Sequence, residues 1–336
     1  MKAAVWVEPG TFVIDERPDP APARGEIVVR VGACGMCGTD LHIADGAFPA
    51  TPYPLVPGHE FAGEVVAVGE GVRELRDGAR VAVDPSLFCG ECEFCRVQRG
   101  NLCAHWGALG DTVDGAFAEY VRVPAANAYE LPERLSFREA ALIEPLSCGV
   151  HGINRLDPGL GDSYLITGAG TIGLILLALA QRAGASSVTM VDLQPAKLER
   201  ARALGASATA GSVAEALEGR SGGFDNVIDA TGVAPVIEQG FDAVRKGGKL
   251  MVFGVAHADA RVSLSPYRIY KDEVTVVGSM AVLFTFEPAM ALLRGALDAE
   301  ALLTHAFPLE DFGEALATVR RGEGVKVQVL PNGDLG

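Results

Sequence analysis

The rhythm of apolar and polar positions changes about halfway along the chain. Up to about residue 150 the apolar residues come in short runs, 26–31, 61–68, 79–83 and 118–123, cut apart by Gly, Pro and Asp turns such as Asp77-Gly78. Short strands bounded by turn residues predict a small antiparallel barrel or sandwich. From about residue 160 strands alternate with helices. An apolar run at 164–167 is closed by glycines and followed by a helical stretch, 171–182. A strand at 187–191 precedes a helix at 195–204, with Pro195 in its first turn and Gly205 as its stop. Residues 226–229, a helix at 236–244, then 249–253 and 274–277 complete the series. This alternation predicts a parallel sheet covered on both faces. The last stretch returns to amphipathic helices, 287–297 and 311–320, and a final strand, 325–330. No repeat of solenoid period is present.

The length, 336 residues, suits about two domains, and 49% hydrophobic content supplies both cores. Acidic residues outnumber basic ones 43 to 28, for a formal charge of −15, and no Lys/Arg cluster occurs, which excludes nucleic acid and anionic membrane as expected partners. The N-terminal segment reaches Glu8 and Pro9 too early for a secretory apolar core, and the longest apolar stretch, 172–180, is too short to span a bilayer. The cytoplasm, with reduced thiols, is the expected compartment.

Gly168-Ala169-Gly170-Thr171-Ile172-Gly173 follows a predicted strand and opens a predicted helix, the context that gives weight to an otherwise common G-x-G-x-x-G pattern. The first two glycines allow a tight turn and close approach of backbone N–H groups to a pyrophosphate at the helix N-terminus, and Gly173 lets helix and strand pack. Asp192 ends the next strand, where a carboxylate accepts hydrogen bonds from the adenosine ribose and repels a 2′-phosphate. Leu193 and Gln194 supply no cation for that phosphate, so NAD is the expected cofactor. Lys197 lies within reach of the same ribose; a solvated helix lysine would look the same, just as Asp192 could serve only to cap the next helix.

Four of the seven cysteines crowd into one stretch, Cys89-x2-Cys92-x2-Cys95-x7-Cys103. Four thiolates closing a tetrahedron describe a structural Zn²⁺ site, and the long last gap departs from the ferredoxin iron–sulfur spacing. A second set, Cys37-Gly38-Thr39-Asp40-Leu41-His42 and Gly58-His59-Glu60, offers a thiolate, an imidazole and a carboxylate, a donor set that can hold zinc and leave a position open. Spacing alone does not join Cys37 to His59.

These motifs, together with Gly115-Ala116-Phe117-Ala118-Glu119-Tyr120 and Glu144-Pro145-Leu146-Ser147-Cys148-Gly149-Val150-His151, resemble the zinc-dependent medium-chain alcohol dehydrogenases over nearly the whole chain. Glu144, where alcohol dehydrogenases proper place a cysteine, is similar to the polyol and threonine dehydrogenase branch. The resemblance implies an α/β plus mainly-β protein: a GroES-like β-barrel catalytic domain with the zinc lobe at 1–154, a Rossmann doubly wound parallel sheet at 155–285, a C-terminal return at 286–336, and an active site between domains. It implies two zinc ions per chain, the catalytic one held by Cys37, His59 and a carboxylate, Glu60 or Glu144. It also implies a proton relay through Thr39, the cofactor ribose and His42. The zinc would lower the pKa of an alcohol so that its hydride passes to NAD.

The substrate class is the least legible part. Ile43 and Met280-Ala281 stand where sorbitol dehydrogenases place an aromatic residue and an Arg-Tyr pair, whereas residues 84–90 and 101–103 look more like arabinitol-type enzymes. The expected reaction is oxidation of a sugar alcohol to a ketose, with L-threonine or an aminocyclitol as the alternative substrate. Zinc-free quinone reductase-like or non-catalytic nicotinamide-binding relatives form a different class, which lacks the ligands Cys37, His59 and Glu144. A homotetramer or dimer, joined through the apolar segment 276–286, follows from the resemblance.

Overall fold

The computed structural model describes residues 1–48, 51–293, 295 and 297–336. The chain forms two units: Met1–Ser147 with Val282–Gly336, and Cys148–Ala281.

In the first unit the strand Glu26–Gly35 is the organiser. Nearly all its residues are buried, and it is long enough to pair with three partners. Its first half pairs antiparallel with Tyr120–Pro124, its length with Glu60–Val68, and its end with Lys326–Leu330. The sheet order is Leu303–Pro308, Lys326–Leu330, Glu26–Gly35, Glu60–Val68, Arg80–Val83, Ala128–Glu130. All pairs are antiparallel except the first, which is parallel. An N-terminal hairpin, Lys2–Glu8 with Thr11–Glu16, turns at Pro9-Gly10. Trp6, Phe12, Phe117 and Phe312 meet edge to face in the core, with ring centroids 5.1–6.3 Å apart. That geometry sets the positive ring edges against the negative faces.

The second unit carries a six-stranded sheet, parallel throughout, in the order Ala208–Ala210, Ser187–Val191, Ser163–Thr167, Phe224–Asp229, Val244–Val252, Thr275–Gly278. In chain order this is 3-2-1-4-5-6, the doubly wound arrangement in which ligands bind at the carboxyl ends of the central strands. The central strand Ser163–Thr167 is buried at every position. Helix Thr171–Arg182 is apolar on most of its circumference, and it is buried accordingly.

Strands and helices of the parallel sheet fall close to the expected positions, the helix at 171–182 residue for residue. The expected strand at 249–253 begins earlier, at Val244, directly after helix Ala234–Ala243, with a register irregularity in place of a loop. Of the expected helix at 287–297, Phe286–Leu293 is observed, and residues 294 and 296 lie outside the described residues.

Candidate functional site

In the first unit, Cys37 is the N-cap of the short helix Gly38–Ala44. Its backbone N–H donates to Asp40 Oδ2 at 2.8 Å, which fixes the turn that presents the thiol. Thr39 Oγ lies 3.8 Å from Cys37 Sγ, and His42 follows Thr39 at the i+3 position of the same helix. His59 immediately precedes the strand that starts at Glu60, and Glu60 is paired in register with Gly35. A side chain at Gly35 would displace that carboxylate, because a Cβ there would lie 2.2 Å from Glu60 Oε2.

Cys37, His59 and Glu60 each offer one ligand atom, and these atoms lie within 4.8 Å of one another. His59 and Glu60 are buried and Cys37 is half-buried. The donor set and the convergence of two potential anions and an imidazole fit a divalent metal, since buried charges of this kind need compensation. Glu144, in the first turn of helix Ile143–Leu156, is also buried, and its charge reaches Lys326. His59 Nδ1 faces two carboxylates, Asp111 Oδ1 at 3.2 Å and Asp40 Oδ1 at 3.9 Å. Burial works against a charged His59, but Asp111 and then Asp40 more than offset it and hold the imidazole well above its ordinary 6.5. Burial pushes Asp40 up to about 6. Cys34 is fully buried and belongs to neither metal-ligating group.

Lys326 and Asp111 are the site residues that no motif announced. Lys326 is a lysine at a fully buried place in a valine-rich strand, and that mismatch of residue type and pattern was its only available signal. Asp111 has no local signal at all.

Cys89, Cys92, Cys95 and Cys103 converge as the spacing predicts. The measured sulfur separations are 3.5 Å for Cys92–Cys95 and Cys89–Cys103, 3.9 Å for Cys92–Cys103 and 4.0 Å for Cys89–Cys95. These are too long for disulfides and close to the ~3.8 Å edge of a tetrahedron with zinc–sulfur bonds of about 2.3 Å. Backbone N–H groups point at the sulfurs: Cys89 N to Cys103 Sγ at 3.4 Å, Cys92 N to Cys89 Sγ at 3.4 Å, His105 N to Cys103 Sγ at 3.3 Å. Such donors favour thiolates. The N–H groups of Ala104 and Cys95 bring the Cys92 thiol down to about 6, and that of Cys89 lowers Cys103.

In the second unit the glycine loop lies at the carboxyl end of the central strand. Gly168 has φ +93° and donates its N–H to Val191 O at 2.7 Å. Gly170 is the N-cap of helix Thr171–Arg182, no side chain caps that end, and the space a Cβ would take at Gly170 is open. At Gly173 a Cβ would lie 1.8 Å from Gly168 O, so only glycine permits this helix to sit against the loop. Thr171 and Ile172 form the first turn between them. Asp192 Oδ2 accepts the Ala169 N–H at 2.8 Å, and Oδ1 accepts the Gln194 N–H at 2.9 Å. The acid therefore stands against the loop, bridging it to the start of the following helix. Lys197 is half-buried on the following helix, Pro195–Ala203. Leu193 is 89% exposed.

No helix among the described residues is long and apolar enough to cross a membrane. Residues 23–133 match the family model of the alcohol dehydrogenase GroES-like domain, and residues 171–295 match that of the zinc-binding dehydrogenases. The chain is 36% identical to D-arabinitol dehydrogenase 1 of Uromyces fabae, over 99% of this chain and 97% of that one. It is 38% identical to D-altritol 5-dehydrogenase of Agrobacterium fabrum, over 93% and 94%. A zinc-binding dehydrogenase from Sinorhizobium meliloti 1021, solved bound to NADP, superposes with a TM-score of 0.92 at 36% identity, covering 98% of this chain and 99% of that one.

Proposed function

The chain belongs to the zinc-dependent medium-chain dehydrogenases, in the polyol and threonine branch, and on that premise we propose that it oxidises a secondary alcohol of a sugar alcohol to a ketose with NAD. The observation that carries this reading is the group of Cys37, His59 and Glu60 with Thr39 beside it, in a chain 36–38% identical to dehydrogenases named for arabinitol and altritol.

A zinc ion held by Cys37, His59 and a carboxylate, Glu60 or Glu144, supplies Lewis acidity that brings the pKa of an alcohol from about 16 toward neutrality. The oxidation removes a hydride from carbon and a proton from oxygen. A bound NAD would supply the hydride acceptor. The proton would be taken at Thr39 Oγ and, with the ribose hydroxyl of a bound cofactor between them, delivered to solvent by His42, one helical turn on; general acid–base help of this kind is worth about 10²–10⁴-fold. Gly168, Gly170 and the first-turn N–H groups of Thr171–Arg182 hold the pyrophosphate at the positive end of the helix dipole. Asp192 accepts the ribose hydroxyls and disfavours the 2′-phosphate of NADP. The four-cysteine lobe holds a second zinc with no open position, a structural role.

Cys34, Cys37, Cys89, Cys92, Cys95 and Cys103 as reduced thiols suit a reducing cytoplasm. Strand Thr275–Gly278 is an edge of the parallel sheet with Val276 exposed, which suits pairing with a second copy in a dimer or tetramer; light scattering tests this. The function is tested by following NAD reduction with four- to six-carbon polyols and with L-threonine. Turnover on a polyol supports the reading. Turnover on threonine alone reassigns the substrate, and no turnover on any secondary alcohol removes the catalytic assignment.

A further inference from the structure

The contact between His59 and Asp111 has no counterpart in the motifs described above. Nδ1 of His59 and Oδ1 of Asp111 are both buried and face each other at an ion-pair distance of 3.2 Å, and neither atom has an aligned hydrogen bond to any group. Asp40, the other carboxylate near this imidazole, is engaged differently. Its Oδ2 accepts the Cys37 N–H, and its Oδ1 is 3.9 Å from Nδ1, beyond hydrogen-bonding length.

The loop that carries Asp111 is fastened to the residues just ahead of His59. Gly115 N donates to Val56 O at 2.7 Å, Ala116 N to Gly58 O at 2.9 Å, and Phe117 N to Pro57 O at 2.9 Å. Asp114 Oδ1 accepts the Val56 N–H at 2.9 Å. The approach is so close that a Cβ at Gly110 would fall 2.5 Å from the backbone of Gly58, itself at φ +102°. Asp111 is thus delivered to His59 by two backbones that can meet only through glycines.

We propose that Asp111 is the positioning residue for His59, holding the Nδ1–H side of the ring so that Nε2 is presented to the metal. The proposal rests on the reading of His59 as a zinc ligand. A carboxylate behind a ligating histidine fixes its tautomer and raises its basicity, and loss of such a partner typically costs 10–100-fold in metal affinity or activity.

The test uses zinc-loaded protein titrated with a competing chelator, with zinc per chain and melting temperature recorded. The wild type should release its two zinc ions separately, the four-cysteine zinc serving as a standard within the same molecule. Asp111→Val should lose the other ion at 10–100-fold higher free zinc than the wild type, and Asp111→Asn, whose amide oxygen still accepts Nδ1–H, should recover most of that loss. Equal release by Asp111→Val and the wild type, or an Asn variant as weak as the Val variant, overturns the proposal. ¹⁵N spectra of the wild-type zinc protein need no variant: Nδ1 of His59 should be protonated and Nε2 metallated, and the reverse assignment overturns it. A wild type that binds only one zinc refutes the reading of His59 as a ligand, a different outcome from either of these.

Discussion

Lys326 and Glu60, 266 positions apart in the chain, form a buried ion pair beside Cys37 and His59. Lys326 also donates to Met36 O at 3.0 Å, and the two side chains are 3% and 2% exposed. Burial lowers the pKa of the ammonium, but Glu60, followed by Cys37 and Glu144, more than offsets this and raises it above its ordinary 10.5. The lysine thus sets a buried cation against one of the candidate metal ligands.

Removing one partner of such a pair leaves the other charge buried, at a cost of about 3–5 kcal/mol. Lys326→Met should therefore destabilise the protein by that amount in urea unfolding. Lys326→Met combined with Glu60→Leu should recover most of it. Chelator must be present throughout, so that a metal cannot stand in for the missing cation. Additive losses in the double variant would show that the two residues do not act as a pair.

Asp40 makes stability depend on pH. Burial raises its carboxyl from 3.8 to about 6, with Asp111 adding to the shift while His59 and the Cys37 N–H oppose it. The folded state holds this proton more tightly than the unfolded chain, so the contribution is full below about pH 4 and is lost as pH rises through 6. Two pKa units correspond to on the order of 3 kcal/mol. In metal-free protein Asp40→Asn should flatten the stability curve across this window relative to the wild type. Parallel curves for the two proteins would refute the assignment.

The four-cysteine lobe has little else to hold it. Helix Glu93–Arg96 is a single turn with no buried residue, and one turn is not stable alone. Cys92→Ser should lose one zinc and expose the exposed Arg96 and Arg99 to trypsin severalfold faster than in the zinc-loaded wild type. Unchanged cleavage would mean that the lobe keeps its shape without metal.

Asp192→Asn keeps an acceptor for the Ala169 N–H but removes the charge that opposes a 2′-phosphate. The preference for NAD over NADP in kcat/KM should fall on the order of 10- to 100-fold, about 1.4–2.8 kcal/mol. An unchanged ratio would place cofactor choice elsewhere.

How far these features could be read in the sequence depended on the range of their interactions. Helix Thr171–Arg182 and strand Ser187–Val191 lie where the apolar pattern puts them, because each is buried along its own length and the pattern is local. The four cysteines likewise declare themselves by spacing. Helix Ile143–Leu156 and the hairpin Lys2–Glu8 with Thr11–Glu16 were not marked as elements, because Gly, Pro and polar residues interrupt the first and an early Pro-Gly turn the second. Gly35, Asp111 and Lys326 owe their places at the site to partners 25 to 266 positions away, and no window on the sequence contains both members of such a pair.

Lys326 belongs to a strand that is translated after every other strand of its sheet. The parallel-sheet unit, continuous from Cys148 to Ala281, has its full sequence before Lys326–Leu330 leaves the ribosome. Until then the end of Glu26–Gly35 lacks its neighbour and Glu60 lacks its counter-ion, although both were synthesised long before. The nascent first unit must wait with an open strand edge, a state that invites wrong pairing and the attention of chaperones. A ribosome that stalls or terminates before Lys326–Leu330 thus releases a chain with the whole sequence of the parallel-sheet unit and an unfinished metal-binding one.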